Sequence, residues 1–404
     1  DDSKWDSVTV TDSVDIIMQV HSGEPVRVEK EIEPREITEP HPGYYVFDLG
    51  QNFSGFARLK IKGEAGQKVT IKFAETLNKD GSTYTANLRD ARATETYICK
   101  GDGVEIWQPD FTFHGFRYVE VTGISEMPGK DMITGLVVHS DTPVVGSFEC
   151  SNGLINQIYS NVTWSQRSNF VDVPTDCPQR DERMGWLGDA QIFVRAATYN
   201  MDVASFFSKW MWDVVDGQSE DGKFPDVAPN MAASGSGSAA WADAGIICPW
   251  TIYKVYNDKK ILEQHYPAMQ KWMEFCEKNS DGLLRPKTEY PDWLSIGEDT
   301  PREIIGTTYF AYSAGLMSEI AEAIGKHEDA KKYAELKERI KDAFNKAYVS
   351  EDGTIKGNTQ CCYVLALYFD LLDKEMRPIA AKHLIERIEA MNWHLSTGFV
   401  GLSY

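Results

Sequence analysis

The chain has 404 residues, of which 42% are hydrophobic and 25% charged, as in an ordinary globular protein of two or three domains. Its formal net charge of −20 argues against a nucleic-acid partner, because phosphate backbones are bound by basic surfaces. The sequence contains no run of about eighteen apolar residues, so it predicts no membrane-spanning helix and no membrane partner.

The cysteines indicate neither a disulfide framework nor a metal site. There are seven of them, an odd number without metal-type spacing, and two are adjacent. We expect free buried thiols, which weakly favour a reducing compartment such as the cytoplasm. No metal or cofactor is predicted. The chain begins with Asp1 and has no signal-peptide pattern, so we expect a fragment or a processed product, and the localisation stays open.

The first 150 residues are predicted to be β structure. Residues 1–43 are expected to be the end of a preceding accessory β domain and a linker, because Pro34, Pro40 and Pro42 fall in its last part. Residues 44–150 contain short segments in which apolar and polar side chains alternate, for example 57–62 and 68–73. Short alternating strands separated by glycines are typical of an antiparallel β-sandwich.

From about Ser151 the apolar period becomes helical, and Ser151-Asn152 is expected to cap the first helix. About nine amphipathic stretches follow, with long irregular segments near 171–188, 217–241 and 279–305. Such helical hairpins, with long loops gathered at one end, favour an α/α toroid over residues 151–404. The predicted fold is therefore multidomain: an antiparallel β-sandwich followed by an incomplete (α/α)6 six-hairpin toroid. Three tryptophans inside these helices are assigned to the core: Trp210, Trp212 and Trp272.

Residues 172–189, called the acidic loop below, carry the densest chemistry in the chain. Within them lie five carboxylates, two guanidiniums and one indole: Asp172, Asp176, Asp181, Glu182, Asp189, Arg180, Arg183 and Trp186. Two prolines and two glycines disfavour a continuous helix. Crowded carboxylates repel one another, a cost that proteins bear where one carboxyl must stay protonated. This pattern favours a glycosidase loop; the alternative is a salt-bridged surface loop.

Several motifs in this order resemble one enzyme family. Residues 176–189, Asp-Cys-Pro-Gln-Arg-Asp-Glu-Arg-Met-Gly-Trp-Leu-Gly-Asp, closely resemble the signature of bacterial α-L-rhamnosidases of glycoside hydrolase family 78. Residues 47–55 and 111–118 resemble the β-sandwich of that family. Three further segments resemble its barrel loops: 241–245, 292–294 and 396–399. The resemblance therefore extends along nearly all of the chain.

The resemblance implies hydrolysis of terminal α-L-rhamnose with inversion, which needs a protonated acid and a water-activating carboxylate about 6.5–9.5 Å apart. Glu182 matches the general acid of the family. Like charge on Asp176, Asp181 and Asp189 is expected to raise its pKa, while Arg180 offsets part of the repulsion.

The resemblance also implies a sugar subsite. Asp176, Arg180 and Asp189 match residues that bind rhamnose hydroxyls; their alternative role is a structural ion-pair network. The tryptophans that match the aromatic lining of the subsite are Trp186, Trp241 and Trp293. Indole rings suit the methyl group that L-rhamnose carries. The implied partner is a rhamnose-containing glycoside, of which the aglycone stays open, as does a homo-oligomer.

One part of the family pattern is missing. The general base of the family is a Glu in a Trp-Glu motif, and no Trp-Glu dipeptide occurs in this sequence. The resemblance places the base after Tyr404. Since a closed six-hairpin toroid needs twelve helices, about three are expected there as well. Whether the 404 residues alone are active stays open, since Glu298 and Asp299 are other candidate bases that no spacing selects.

Two alternative functions remain at this stage. One is a non-catalytic rhamnoside-binding protein, which the retained Glu182 disfavours because a binder gains nothing from a buried acid. The other is a six-hairpin glycosidase of other specificity, such as a uronidase, in which Arg183 or Arg180 would bind the substrate carboxylate.

The Ser-Gly repeat 234–238 lacks the lysine of a phosphate loop and predicts a mobile loop beside the sugar site. His114 is expected to be a packed core histidine.

Overall fold

A computed structural model describes residues 3–16, 18, 20–231, 235–286 and 288–404. Ser234, the first residue of the Ser-Gly repeat, lies outside the described residues. A sheet domain comes first along the chain and a helical domain follows, with the first helix beginning at Gly153. The predicted change from β to helical structure near residue 151 is therefore confirmed.

The sheet domain is antiparallel. Its strands are β1 (Val26–Ile32), β2 (Glu36–His41), β3 (Tyr44–Ile61), β4 (Lys68–Ala74), β5 (Thr76–Leu77), β6 (Thr83–Tyr84), β7 (Thr94–Ile98), β8 (Glu105–Trp107), β9 (His114–Thr122) and β10 (Ile133–Ser140). The main sheet has the order β1-β10-β3-β9-β4-β7, and β2 and β8 also pair with β3. Strands β5 and β6 form a separate hairpin.

The expected boundary of this domain at residue 44 is wrong. Strand β1 pairs with β10, and β2 pairs with the first part of β3, so both belong to the main sheet. The prolines that suggested a linker fall at turns and irregular positions of this sheet. Pro34 lies in the turn between β1 and β2, and Pro40 lies in β2, where the register with β3 shifts. Proline is tolerated at such irregular positions because its missing N–H breaks no regular ladder bond.

Alternation along the strands forms the core of the sheet domain. In β4, Val69, Ile71 and Phe73 are buried while the intervening residues face outward, as a period of two requires. His114 is also buried: its ring stacks on Phe73 at 4.2 Å, and its Nε2 lies 2.8 Å from Glu95 Oε1. The prediction of a packed core histidine is confirmed.

The helices of the second domain are α1 (Gly153–Asn169), α2 (Leu187–Asn200), α3 (Ala204–Asp216), α4 (Ala244–Tyr256), α5 (Lys259–Lys278), α6 (Arg302–Ala323), α7 (His327–Tyr348), α8 (Gln360–Tyr368), α9 (Met376–Ala390) and the short α10 (Phe399–Leu402). A small hairpin, β11 (Phe170–Val171) with β12 (Val173–Pro174), follows α1. The side chain of Asn152 caps α1 by accepting hydrogen bonds from the Leu154 and Ile155 amides. No helix in the described part of the chain is both long and apolar enough to cross a membrane.

Two kinds of helix alternate in this domain. Helices α4 and α6 are buried on all sides for most of their length. Helix α7 buries a single face, with Tyr333, Leu336 and Ile340 at helical spacing. The described residues within 217–243 and 279–301 are irregular and connect α3 to α4 and α5 to α6, close to the predicted positions. Most of the active-site candidates lie in connecting segments, and Asp189 lies in the first turn of α2.

The assignment of Trp212 to the core is wrong, although Trp210 and Trp272 are fully buried as predicted. Trp212 is 45% exposed and meets the ring of His265 edge-on at 4.8 Å. Two positions along an α-helix correspond to a rotation of about 200°, so Trp210 and Trp212 lie on opposite faces of α3. Only one of these faces packs against the core.

Candidate active site

The acidic loop closes on itself before it enters α2. Thr175 and Gly185 form a bridge, and inside it the Asp176 amide donates to Met184 O at 2.8 Å and the Arg183 amide to Asp176 O at 2.9 Å. Arg183 has φ of 69°, a left-handed conformation that costs a residue with a Cβ about 1–3 kcal/mol. Such strain persists where surrounding contacts over-determine the backbone, and it is common at functional sites.

Glu182 lies in this loop, and its carboxylate accepts three hydrogen bonds. Its Oε1 accepts from the Trp186 indole at 2.7 Å and from the Met184 amide at 3.2 Å, and its Oε2 accepts from the Arg183 amide at 2.9 Å. Burial raises the pKa of Glu182 and the charge of Asp176 adds to the effect, although the donors oppose it. The pKa of Glu182 is therefore raised, as the sequence predicted. The leading cause is burial rather than the like charge that the sequence suggested.

Two further carboxylates belong to the same region. Asp189, in the first turn of α2, is partly open to solvent, but desolvation by the surrounding protein atoms, with the charges of Asp176 and Glu182, raises its pKa to about 7. Asp176 and Asp189 both line a cavity of about 220 Å³. Apolar rings, among them Phe170 and Phe193, form much of its remaining wall.

The charged groups that face one another here are not paired. Among the described residues, no carboxylate lies within 4.0 Å of a guanidinium nitrogen of Arg180 or Arg183, and neither Asp176 nor Asp189 has an ion pair. The buried Nε of Arg180 has no hydrogen-bond partner in the described structure. Asp172 differs, since it pairs with Lys209 at 2.9 Å. The alternative role in a structural ion-pair network therefore suits Asp172 and does not hold for Asp176, Arg180 and Asp189.

Three tryptophans that are distant in sequence meet at one tyrosine. The ring of Tyr290 lies 4.5 Å from that of Trp241, 6.0 Å from that of Trp186 and 6.1 Å from that of Trp293. Trp241 is buried, whereas Trp293 is 46% exposed. The result is an aromatic wall beside Glu182, to which Trp186 also donates its hydrogen bond. Sugars bind to such walls through the apolar faces of their rings.

The segments that resemble the barrel loops of the family are in contact with one another. Gly398 donates its amide to Asp292 Oδ2 at 2.7 Å, and the Phe399 amide donates to Trp293 O at 3.0 Å. The ring of Phe399 in turn lies 5.4 Å from Trp241. Gly188 is required at its position because a Cβ there would lie 2.5 Å from the Trp241 indole. Segments 186–189, 241, 290–293 and 396–399 therefore form one continuous site.

Comparison with known proteins identifies the architecture. Residues 143–404 match the profile of the bacterial alpha-L-rhamnosidase 6 hairpin glycosidase domain, and residues 38–139 match that of the bacterial alpha-L-rhamnosidase concanavalin-like domain. The chain belongs to the bacterial α-L-rhamnosidase family. It therefore has the concanavalin-like sheet domain of these rhamnosidases, followed by their six-hairpin glycosidase domain.

Individual members of the rhamnosidase family are similar along the whole chain. An alpha-L-rhamnosidase from Streptomyces avermitilis is 48% identical over 99% of this chain, and one from Formosa agariphila is 39% identical over the same share. The chain spans 39% and 44% of the length of these curated relatives. The crystal structure of the Streptomyces avermitilis enzyme complexed with L-rhamnose superposes with a TM-score of 0.92, covering 94% of this chain and 37% of that one.

Glu298, one of the two candidate bases, has a structural role. Its side chain pairs with Arg387 of α9 and accepts hydrogen bonds from the Ser396 hydroxyl and, at 2.8 Å, from the Gln360 amide. Burial opposes ionisation of Glu298, but these partners outweigh it and hold its pKa below the ordinary range. Asp299 is exposed. The hydrogen-bond and ion-pair partners of Glu298 thus lie outside the acidic loop.

Three side chains of the acidic loop, one of them Cys177, are as close together as the ligands of a metal site. Ligand atoms of Asp176, Cys177 and Glu182 all lie within 4.8 Å of one another. The thiol, however, lies 3.1 Å from Asp176 Oδ1, and burial raises its pKa to about 12. In this arrangement the thiol donates a hydrogen bond to the Asp176 carboxylate.

Sequence reasoning missed Tyr290, which contacts all three predicted tryptophans. Burial, followed by the charges of Asp226 and Glu289, raises its pKa to about 12, so it is a neutral ring at physiological pH. The signal available in the sequence was its position two residues before Asp292, at the start of a motif segment. Tyrosines are frequent in this chain, however, and nothing local separates this one from the others.

Proposed function

We propose that the protein carrying this chain hydrolyses terminal α-L-rhamnose from rhamnosides with inversion of configuration. The observation that supports this most is the acid site. Glu182, with its raised pKa, lies in the same loop region as Asp176, Asp189 and Arg180, which are not paired with one another. The similar Streptomyces avermitilis alpha-L-rhamnosidase was crystallised with L-rhamnose.

In the proposed reaction Glu182 donates its proton to the glycosidic oxygen. As a water molecule, deprotonated by the base, forms a bond to the anomeric carbon from the opposite face, the electron pair of the glycosidic bond passes to that oxygen and the aglycone departs as an alcohol. The Trp186 indole and the two backbone amides then stabilise the carboxylate that remains. The raised pKa favours the protonated carboxyl before the transfer, and the hydrogen-bond donors stabilise its charged form afterwards.

The residues that bind the rhamnose ring can be assigned from the same part of the structure. We assign binding of rhamnose hydroxyls to Asp176, Arg180 and Asp189, because unpaired charged groups in a cleft can exchange bonds to water for charge-assisted bonds to hydroxyls. The wall formed by Trp186, Trp241 and Trp293 is assigned to the sugar ring and its methyl group. Burying a methyl group contributes on the order of 1 kcal/mol, so the wall gives modest selectivity.

We further propose that the base lies outside these 404 residues. The Glu298 carboxylate is ion-paired with Arg387, and Asp299 is an exposed residue outside the acidic loop. We also propose that the helical domain is part of an (α/α)6 toroid. In it the largely buried α4 and α6 would be inner helices, and α7, which buries a single face, an outer helix.

The direct test is turnover of an alkyl α-L-rhamnoside and of p-nitrophenyl α-L-rhamnoside by the complete gene product. Glu182→Gln should lower kcat on the alkyl substrate by about 10²–10⁴-fold, and less on the nitrophenyl substrate, whose leaving group needs little protonation. Asp181→Asn is the matched control, because it removes an exposed neighbouring carboxylate while an amide oxygen can still accept the hydrogen bond from Asp90. Proton NMR of the first sugar released should show the inverted anomer. Near-wild-type turnover of the alkyl rhamnoside by Glu182→Gln would contradict the assignment.

The second candidate is a rhamnoside-binding protein that keeps the sugar subsite but has no water-activating carboxylate. It predicts that the complete gene product binds L-rhamnose in calorimetry and releases none from either substrate. A uronidase is disfavoured at Arg183, because its guanidinium already lies over the ring of Phe113. Including a p-nitrophenyl glucuronide in the assay distinguishes that activity.

A further inference from the structure

One side of the acidic loop packs against the sheet domain. The closest approach is at Gln179, whose Cβ would lie 2.8 Å from a Cβ at Gly115, the second residue of β9. Only glycine allows the two backbones to come so near. Two residues further on, the Asp181 carboxylate accepts a long hydrogen bond of 3.4 Å from the amide of Asp90.

The third contact is made by Arg183. Its guanidinium lies over the ring of Phe113 in the sheet domain, 4.5 Å from the ring centre. In the part of the chain that the structure describes, no carboxylate lies within ion-pair distance of this guanidinium. The negative face of an aromatic ring attracts such a cation, and more strongly when the pair is partly shielded from water. The ring is therefore a principal contact of the Arg183 charge.

Arg183 connects this ring to the general acid. Its amide donates to Glu182 Oε2 and to Asp176 O, both at 2.9 Å, while its backbone holds the left-handed φ of 69°. Residues 179, 181 and 183 contact the sheet domain, and Arg180 and Glu182 fall at the intervening positions. The contacts with the sheet domain thus lie on both sides of Glu182 along the chain.

We propose that Phe113 is a positioning residue for the general acid, acting across the domain boundary through Arg183. This inference rests on the proposed function. Proton donation requires Glu182 to be within about 2.6–3.2 Å of the glycosidic oxygen. A displacement of about 1 Å can lower a rate by roughly 100-fold. A loop with a strained residue next to the acid needs outside contacts to keep that geometry, and Phe113 supplies one from the sheet domain.

The test compares Phe113→Ala with Phe111→Ala in the complete gene product. Phe111 is two residues away and fully exposed, so its removal is a matched control. For Phe113→Ala we expect kcat on an alkyl α-L-rhamnoside to fall roughly 10- to 100-fold, with KM little changed. On p-nitrophenyl α-L-rhamnoside the loss should be below about threefold, since that leaving group needs little acid. The separate variant Phe113→Tyr, which keeps the aromatic ring, should have the kcat of the wild type.

The pH profile gives a readout that stability alone would not change. Burial is the main cause of the raised Glu182 pKa, so a loosened loop that admits water should move the alkaline limb of kcat to lower pH in Phe113→Ala. If Phe113→Ala does not fold, as judged by circular dichroism, Phe113→Leu and Arg183→Met test the same contact from its two sides. Wild-type kcat and an unshifted limb in these variants would overturn the inference. Absence of turnover in the wild-type protein would instead overturn the proposed function.

Discussion

The hydrogen bond from Trp186 to Glu182 should set the upper pH limit of activity. In Trp186→Phe the aromatic surface is largely kept, but the indole donor 2.7 Å from Oε1 is lost. That donor stabilises the charged carboxylate, so its removal should raise the pKa of Glu182. A hydrogen bond to a charged group contributes about 1.5–3 kcal/mol, and the lower end applies to a half-buried group. Since 1.4 kcal/mol corresponds to about one pKa unit, we expect a rise of about one unit.

The assay is kcat/KM for an alkyl α-L-rhamnoside as a function of pH. The alkaline limb reports the pKa of the acid in the free enzyme, so it should move about one unit towards higher pH in Trp186→Phe, even as the maximum rate falls. Trp293→Phe is the control, because this partly exposed residue belongs to the same wall without contacting Glu182. It should weaken binding and leave the limb in place. An unmoved limb in Trp186→Phe, or one at lower pH, would refute the reasoning.

Three further predictions concern stability. Gly188→Ala should lower the free energy of unfolding by about 1–3 kcal/mol in urea titrations, because its Cβ would overlap the facing indole, whereas Gly153→Ala, with open space at its Cβ, should be neutral or stabilising. Trp210→Ala should cost about 3–5 kcal/mol in the same measurement, and Trp212→Ala much less, because only the first is fully buried. Glu298 has a lowered folded-state pKa, so its stabilising effect exists above the unfolded pKa of about 4.3 and is lost as the pH falls through the folded value. Glu298→Gln should accordingly melt below the wild type at pH 7, with a difference that shrinks below about pH 4; a gap independent of pH would contradict the role of its charge.

Local patterns were sufficient for much of this protein. The change from period two to a helical period placed the domain transition near residue 151, because the geometry of strands and helices determines which side chains share a face. The acidic loop stood out because carboxylates are costly to crowd, and its resemblance to a known signature suggested Glu182 as the acid. The cap at Asn152 and the core position of His114 followed from similarly local arguments.

The contacts between distant segments could not be read in this way. Strands β1 and β2 belong to the sheet through pairing with β10 and β3, while the prolines beside them suggested a linker. Tyr290 contacts Trp186 across about a hundred residues of sequence. The contact of Phe113 with Arg183 crosses the boundary between the two domains.

The physical reason lies in the range of each effect. Periodicity, capping and charge crowding act within a few residues and leave a signature in the sequence itself. Burial depends on which elements pack together, and it is burial that raises the pKa of Glu182 more than the neighbouring charges do. The sequence by itself thus determined the kinds of elements and the chemical groups available, while tertiary packing decided which side chains share the cleft and how readily Glu182 retains its proton.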